Sequence, residues 1–174
     1  MTTSYDAIVI GAGPGGYVCA IRLAQLGFKT ACVEKNATLG GTCLNVGCIP
    51  SKALLAASEK FVDASHHMEK MGVKTKGVSL DLGIMMKHKQ DVVSANTKGI
   101  DFLFKKNKID WLKGTGTVKG AGKLDVDGTE YTAKHIIIAT IIIITPSPPS
   151  ASQPLIPPSH YHHHHLYHCL PPAG

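Results

Sequence analysis

The chain has 174 residues and a formal net charge of +6, with 44% hydrophobic and 17% charged residues. This balance is typical of a globular protein and argues against a disordered chain. The basic residues are scattered lysines with one arginine, Arg22, which favours a solvated surface over a nucleic-acid site. No apolar run reaches transmembrane length, so we expect no membrane association.

Five cysteines, an odd number, argue against a secreted disulfide framework. No basic segment with an apolar core and a cleavage site precedes the first apolar run, at residues 7–10. We therefore expect a reducing compartment. This would be the cytoplasm, or the mitochondrial matrix if a transit peptide has been removed.

The first predicted elements form a βαβ unit. Residues 6–10 read as a buried apolar strand, 14–26 as a helix closed by Gly27, and 30–34 as a second strand that ends in Glu34. This order is the one expected at the start of a parallel α/β sheet.

A glycine-rich turn joins the first strand to the helix. It reads Gly11-Ala12-Gly13-Pro14-Gly15-Gly16. In a dinucleotide site Gly11 would permit the turn, Gly13 the approach of the pyrophosphate, and Gly16 the packing of helix on strand. The helix N-terminus would offer its N–H groups to the phosphates, and Glu34 would accept hydrogen bonds from a ribose diol. The alternative is a glycine turn with a surface glutamate, and the motif does not distinguish FAD from NAD.

Two cysteines, Cys43 and Cys48, stand five residues apart. In a straight α-helix they would lie about 140° apart around the axis, too widely separated for a relaxed disulfide. A bond between them therefore requires an irregular turn, which Asn45 and Gly47 would tolerate. Pro50 suits the first turn of a following helix, which would place Cys48 near a helix N-terminus that stabilises a thiolate.

Such a short loop has two possible uses. A disulfide closing this loop would stabilise the fold by only about 2 kcal/mol in the chain-entropy estimate. Such a disulfide is therefore better suited to reversible reduction and oxidation than to a structural role. The competing interpretation is metal binding by the C-x4-C pattern, with His66 and His67 as the nearby candidate ligands. Cys19 and Cys32 have no such context and read as small buried residues.

Beyond this segment the pattern predicts one long amphipathic helix and then several strands. Apolar residues recur at three- and four-residue steps, at Leu82, Met85, Met86, Val93, Ile100, Leu103 and Phe104. We interpret Met85 and Met86 as core packing. Short strands separated by glycine turns are predicted at 109–112, 115–119, 123–126 and 130–132. An apolar central parallel strand follows at 136–139.

Residues 141–174 have a different composition from residues 1–140. They contain no Asp, Glu, Lys or Arg, and they hold eight of the ten prolines and six of the ten histidines. Prolines at this density interrupt helices and ladders. We expect this Pro/Ser/His-rich tail to be irregular, disordered and unrelated to the domain before it.

The dithiol segment carries a specific family resemblance. It reads Gly41-Thr42-Cys43-Leu44-Asn45-Val46-Gly47-Cys48-Ile49-Pro50-Ser51-Lys52-Ala53-Leu54-Leu55. This run closely resembles the dihydrolipoamide dehydrogenases, flavoproteins of the class I pyridine nucleotide-disulfide oxidoreductases that serve 2-oxoacid dehydrogenase complexes. The resemblance extends over residues 5–140. Glutathione and mercuric reductases share the dithiol frame but usually have Val in place of Leu44 and Ile49.

The resemblance implies an incomplete Rossmann-like FAD-binding α/β domain over residues 1–140, with a parallel sheet and a small antiparallel excursion. Cys43 would be the thiol that exchanges with lipoamide, and Cys48 would lie against the flavin. Lys52 would lie near the reactive flavin edge, and the backbone of Gly116 would meet the adenine. The implied FAD site comprises Gly11, Gly13, Pro14, Gly15, Gly16, Glu34, Lys35, Gly41, Thr42, Cys43, Lys52, Gly116, Ala139 and Thr140.

The family reaction is the oxidation of dihydrolipoamide, held on the acyltransferase component of the complex, with NAD as co-substrate. The family is homodimeric and supplies an acid/base pair from a C-terminal interface domain. After Thr140 this sequence departs from the family pattern at 141–144, so we expect the NAD and interface domains to be missing. That expectation argues against both the dimer and turnover by this chain alone. The alternative is a non-catalytic FAD-binding remnant or an aberrant translation product.

Overall fold

A computed structural model describes residues 3–140. The strands are β1 (Thr3–Ile10), β2 (Thr30–Glu34), β3 (Asp110–Lys113), β4 (Gly116–Gly120), β5 (Lys123–Val126) and β6 (Thr129–Ile138). The α-helices are α1 (Pro14–Gln25), α2 (Gly41–Asn45), α3 (Cys48–Val62) and α4 (Leu82–Lys106). A π-helical turn, Asp63–His67, and a 3-10 turn, Met68–Met71, follow α3. The predictions for residues 141–174 lie outside the described residues.

The strands of residues 3–140 form one mixed sheet in the order β3-β2-β1-β6-β5-β4. The four strands from β3 to β6 in this order run parallel, whereas β5 and β4 are antiparallel to their neighbours. Ile10 pairs with Val33 on one side and with Ile138 on the other. The carboxyl ends of β1, β2 and β6 therefore meet at one edge, where the segments that follow them converge. The predicted α/β fold with a small antiparallel excursion is confirmed.

Apolar side chains pack on both faces of the sheet. On one face Val9 and Cys32 pack with Ala20 of α1 and Phe104 of α4, and all four are fully or almost fully buried. On the other face Ile8, Ala31 and Val33 pack against Leu124 and Val126 of the antiparallel strands. Each large side chain buried in this way contributes about 1.5–3 kcal/mol relative to an exposed one. The site at the carboxyl edge thus follows β2, which is buried throughout, and the second half of β1, which is largely buried.

Two predictions about the second half of the chain are wrong. The strands predicted at 130–132 and 136–139 are one strand, β6, because pairing with β1 continues through the polar Lys134 and His135 between them. Met86 is 43% and Leu82 61% exposed, so neither packs in the core, and Met85 is only half-buried.

The long helix α4 is present as predicted, but none of its residues before Val93 is buried. Its buried residues are Val93, Thr97, Ile100 and Phe104. Helix α4 also packs against α3. Of the two cysteines predicted to be buried, Cys32 is fully buried and Cys19 is half-buried. Within residues 3–140 no helix combines the length and apolarity needed to cross a bilayer.

Candidate functional site

A groove of about 890 Å³ opens at the carboxyl edge of β1, β2 and β6. Its walls come from the glycine turn, the end of β2, the dithiol segment, the turn before β4 and the end of β6. Most of the residues predicted for the site line it, namely Gly11, Gly13, Pro14, Gly15, Glu34, Lys35, Gly41, Thr42, Cys43, Cys48, Gly116, Ala139 and Thr140. Gly16 and Lys52 do not line it.

The glycine turn is packed too tightly for side chains at two positions. Gly11 has φ +98°, and a Cβ there would lie 2.7 Å from the carbonyl oxygen of Ala139. A Cβ at Gly16 would overlap the carbonyl oxygen of Gly11, so α1 approaches the strand end as closely as the motif predicts. A Cβ at Gly13, in contrast, would meet nothing within 4 Å. Gly13 therefore leaves open space on the groove side of the turn.

The N-terminus of α1 faces this open space. Gly13 is its N-cap, and no side chain in the described part of the chain caps it. The first N–H groups of a helix have no intrahelical acceptor, and the helix dipole adds partial positive charge there. Because Gly13, Pro14 and Gly15 line the groove, this end of α1 offers donors and positive potential to an anion such as a phosphate.

The carboxylate of Glu34 is held at the end of β2. Glu34 is only 7% exposed. Its Oε2 accepts a hydrogen bond from the Ala12 amide at 3.0 Å. Its Oε1 accepts from the Asn36 amide at 3.0 Å and from the Asn36 side-chain amide at 2.7 Å. The surface-glutamate alternative is therefore wrong. An ionised carboxylate offers about four acceptor positions, so one remains for a ligand hydroxyl.

The dithiol segment has the predicted break between helices, although the break is made differently. The short helix α2 ends at Asn45, and Cys48 begins α3, as predicted for a cysteine at a helix N-terminus. Gly47 lies in the break with φ −105°, so the turn does not use the left-handed region that glycine favours. Its amide donates to the carbonyl oxygen of Thr42 at 2.8 Å.

Asn45 fixes this segment through its side chain rather than through its backbone conformation. Its Nδ2 donates to the carbonyl oxygens of Leu39, at 3.1 Å, and Gly41, at 2.9 Å. Its Oδ1 accepts from the Thr38 hydroxyl at 2.8 Å. These bonds tie α2, which carries Cys43, to the loop before it. Asn45 thus positions the first cysteine of the pair.

Both cysteines of the pair are thiols in the structure, Cys43 half-buried and Cys48 exposed. The side-chain hydrogen bond with Cys48 raises the pKa of Cys43, and partial burial raises it further, while the charge of Lys52 acts in the opposite direction. The two thiols therefore lie near each other, and Lys52 is close enough to influence Cys43. The predicted disulfide would form between neighbouring sulfurs and stays a prediction.

This proximity predicts a pH effect. Because a raised pKa leaves less thiolate at a given pH, removal of the Cys48 thiol in Cys48→Ala should lower the Cys43 pKa. Alkylation of Cys43 by iodoacetamide, followed by mass spectrometry across a pH series, should then rise at lower pH in the variant than in the reduced parent. Cys19→Ala should leave the profile unchanged. An identical profile for Cys48→Ala would contradict the hydrogen bond.

Several groove residues were missed by the sequence analysis. They are Ile10, Val33, Asn36, Gly47, Gly114, Thr115, Val118 and Ile138. The apolar residues among them offer wall surface and no polar contacts. Ile138 is 56% exposed at the groove, although it lies in a central strand. A signal did exist for Asn36, since it follows the acid that ends β2 by two residues.

The described residues supply no additional ligands for a metal ion bound by Cys43 and Cys48. His67 Nδ1 lies 3.0 Å from Asp63 Oδ1, in the π-helical turn. No three His, Cys, Asp or Glu side chains cluster as a metal site within residues 3–140.

A glycine turn, a buried acid and a thiol pair in one groove indicate a dinucleotide-binding disulfide oxidoreductase domain. The chain belongs to the pyridine nucleotide-disulphide oxidoreductase family, whose model matches residues 5–140. It is 51% identical over 152 residues to a dihydrolipoyl dehydrogenase of Cupriavidus necator, covering 80% of this chain and 32% of that protein.

Mitochondrial dihydrolipoyl dehydrogenases give similar matches. The Pisum sativum protein is 53% identical over 140 residues, covering 78% of this chain and 28% of its own length. The Schizosaccharomyces pombe protein is 54% identical over 142 residues, with the same two coverages of 78% and 28%. The chain thus spans about a third of the length of these relatives.

Proposed function

We propose that residues 1–140 are the FAD-binding domain of a dihydrolipoyl dehydrogenase, in which Cys43 and Cys48 take the electron pair from dihydrolipoamide. The observation that carries this proposal is that the thiol pair lines the same groove as the glycine turn and Glu34. In the complete enzyme NAD would be the final acceptor, and lipoamide on the acyltransferase component of a 2-oxoacid dehydrogenase complex would be the substrate. The complete enzyme would be a homodimer in the cytoplasm or the mitochondrial matrix.

The groove fits FAD at several points along its length. The uncapped N-terminus of α1 and the open space at Gly13 suit the pyrophosphate. Glu34 suits a ribose diol, and the backbone at Gly116 suits the adenine. When bound, FAD supplies an acceptor for the electron pair of a neighbouring thiolate.

Thiol–disulfide exchange with a dithiol substrate balances in atoms and electrons between the substrate and the cysteine pair alone. A thiolate of dihydrolipoamide would attack Cys43 Sγ of the Cys43–Cys48 disulfide, breaking the S–S bond and releasing Cys48 as a thiolate. The second substrate thiolate would then attack the substrate sulfur bonded to Cys43, closing the lipoamide disulfide and releasing Cys43. Two electrons and two protons pass from the substrate to the pair, which ends as the two thiols present in the structure. The positive charge of Lys52 favours thiolate at Cys43.

FAD affinity tests the assignment of Glu34. The parent chain should bind FAD, measured by the change in flavin fluorescence on titration, whereas Glu34→Gln should bind about 10- to 150-fold more weakly. The amide keeps the shape but loses the charge and acceptor capacity, which for a hydrogen bond to a charged group is worth about 1.5–3 kcal/mol. Glu130→Gln, an exposed change on β6, is the matched control. Equal affinity of parent and Glu34→Gln would contradict the assignment.

The 174-residue chain by itself should show no steady NAD-dependent oxidation of dihydrolipoamide, even with FAD added. The described lining of the groove contains no histidine that could act as a base beside Cys43. Loss of a positioned base costs about 10²–10⁴-fold. Formation of NADH should be followed by absorbance. Turnover at about 1–10³ per second, the range of ordinary enzymes, would contradict this expectation.

A further inference from the structure

A second groove, of about 580 Å³, lies between the second half of α4 and the edge strand β3. Its lining includes Leu39, Lys98, Phe104, Trp111 and Lys113. None of its lining residues lines the dinucleotide groove, so it is a separate site. Its volume falls within the range of about 300–1,000 Å³ that is usual for small-molecule sites.

The apolar part of this groove suits a flat ligand. Leu39, Phe104 and Ile109 are 1%, 2% and 6% exposed, so they form a buried apolar base. The half-buried indole ring of Trp111 adds a planar wall. Apolar and aromatic surfaces of this kind provide most of the contact area in small-molecule sites.

Trp111, which lines the groove, also carries an unused hydrogen-bond donor. Its Nε1 is shielded from solvent and has no partner, the one such buried side-chain atom within residues 3–140. A buried donor without an acceptor is unfavourable, and native proteins leave few of them. An acceptor atom of a ligand could satisfy this group after a small movement of the indole ring exposes it.

The charges around the groove leave a small positive excess. Lys105 Nζ pairs with Asp101 Oδ2 at 2.6 Å, and Asp110 Oδ2 accepts a hydrogen bond from the Tyr5 hydroxyl at 2.9 Å. Lys98 and Lys113 have no ion pair among the described residues. Lys113 Nζ lies 4.4 Å from the centroid of the Trp111 ring. Three lysines against two aspartates favour a ligand with a single negative charge.

We propose that this groove binds a small aromatic carboxylate. The flat body would lie against Trp111 and the apolar base, and the carboxylate would be bound by Lys98 and Lys113 and could accept from Trp111 Nε1. The flexible Lys113 side chain can move from the ring to the carboxylate without any backbone change. Because the two grooves share no residue, this proposal is independent of the assigned FAD site.

The probe for the test is 4-(trifluoromethyl)benzoate, with binding to the full chain followed by ¹⁹F NMR. Trp111 is the only tryptophan, so its fluorescence provides a second readout at the groove itself. Both signals should saturate with the parent. Lys113→Gln should weaken binding about three- to tenfold, since a charge-assisted bond at a partly exposed site is lost. The uncharged analogue 4-(trifluoromethyl)benzamide should bind more weakly by a similar factor.

Lys119→Gln is the matched control, because Lys119 is exposed on β4 at the opposite edge of the sheet. It should bind the benzoate as the parent does. Trp111→Phe should weaken binding by loss of the N–H group, and circular dichroism checks that this variant is folded. If Trp111→Phe is not folded, the proposal is tested by the affinity of Lys113→Gln for the benzoate and by the affinity of the parent for the benzamide. No saturable binding to the parent, or equal affinity for the benzoate in the parent and Lys113→Gln, would overturn the proposal.

Discussion

Replacement of Cys48 by serine should abolish formation of the disulfide in the candidate site. In the parent, treatment with excess oxidised lipoamide should convert Cys43 and Cys48 to a disulfide, because the two thiols lie near each other. Both residues should then escape alkylation by iodoacetamide. In Cys48→Ser the hydroxyl cannot complete the exchange. The free thiol of the ring-opened lipoamide adduct would close the lipoamide ring again and expel Cys43, which should therefore remain a thiol and be alkylated. Peptide mass mapping measures both states.

The matched control for this experiment is Cys19→Ser. Cys19 is a half-buried thiol on α1, outside the groove lining, and its loss should leave the protection of Cys43 and Cys48 unchanged. If both cysteines of the oxidised parent are alkylated separately, the pair does not form a disulfide. The exchange proposed for dihydrolipoamide would then fail, although the FAD site could still be correct.

The unit from β1 to β2 could be predicted closely from the sequence because its signals are local, although β1 begins at Thr3 rather than at the predicted residue 6. Pro14 begins α1 as predicted, since its fixed φ and missing N–H suit that position. Gly27, with φ +91°, follows the last turn and allows the chain to reverse into β2. β2 itself occupies the predicted residues 30–34.

Features that depend on distant partners could not be predicted in the same way. The apolar spacing of α4 continues through Leu82 and Met86, but both side chains are exposed. Periodicity shows which face of a helix is apolar and not whether another element covers it. Likewise, Lys134 and His135 interrupt the apolar pattern of β6, yet pairing with β1 holds the strand together.

The same distinction applies to the candidate site. The glycines and cysteines could be identified because each is tied to a nearby turn or helix start. The role of Asn45 could not, because its bonds to Thr38 and Leu39 exist only once the loop before α2 has folded back. The second groove was also not foreseen, since Trp111 and Phe104 come together only through packing of α4 on β3.

Two neighbouring glycines of the turn should respond in opposite ways to the same substitution. Gly13 has φ −67°, a value open to alanine, and an added Cβ would meet nothing within 4 Å. Gly13→Ala should therefore fold like the parent but lose FAD affinity, because its methyl group would occupy the space assigned to the pyrophosphate. If this overpacking costs about 1–3 kcal/mol, FAD binding should weaken by about five- to 150-fold. Flavin fluorescence titration measures the affinity, and thermal unfolding measures the fold.

Gly16→Ala should instead destabilise the fold itself. The added Cβ would overlap a backbone atom, the carbonyl oxygen of Gly11, so no side-chain rotamer can relieve the clash. Helix α1 would have to move away from β1, disrupting the contacts of Ala20 and Val9 in the core. Since a domain is stable by only about 5–15 kcal/mol, a cost of several kcal/mol should leave much of the protein unfolded, with FAD binding lost as a consequence.

Gly99→Ala provides the control for these two changes. Gly99 lies within α4, where an added Cβ meets nothing within 4 Å, so alanine should stabilise the helix by up to about 1 kcal/mol. It should leave FAD affinity unchanged. If Gly13→Ala binds FAD as tightly as the parent does, the pyrophosphate does not bind at this turn. If Gly16→Ala unfolds at the same temperature as the parent, α1 does not approach β1 as closely as described. The description of the glycine turn in the groove would then be wrong.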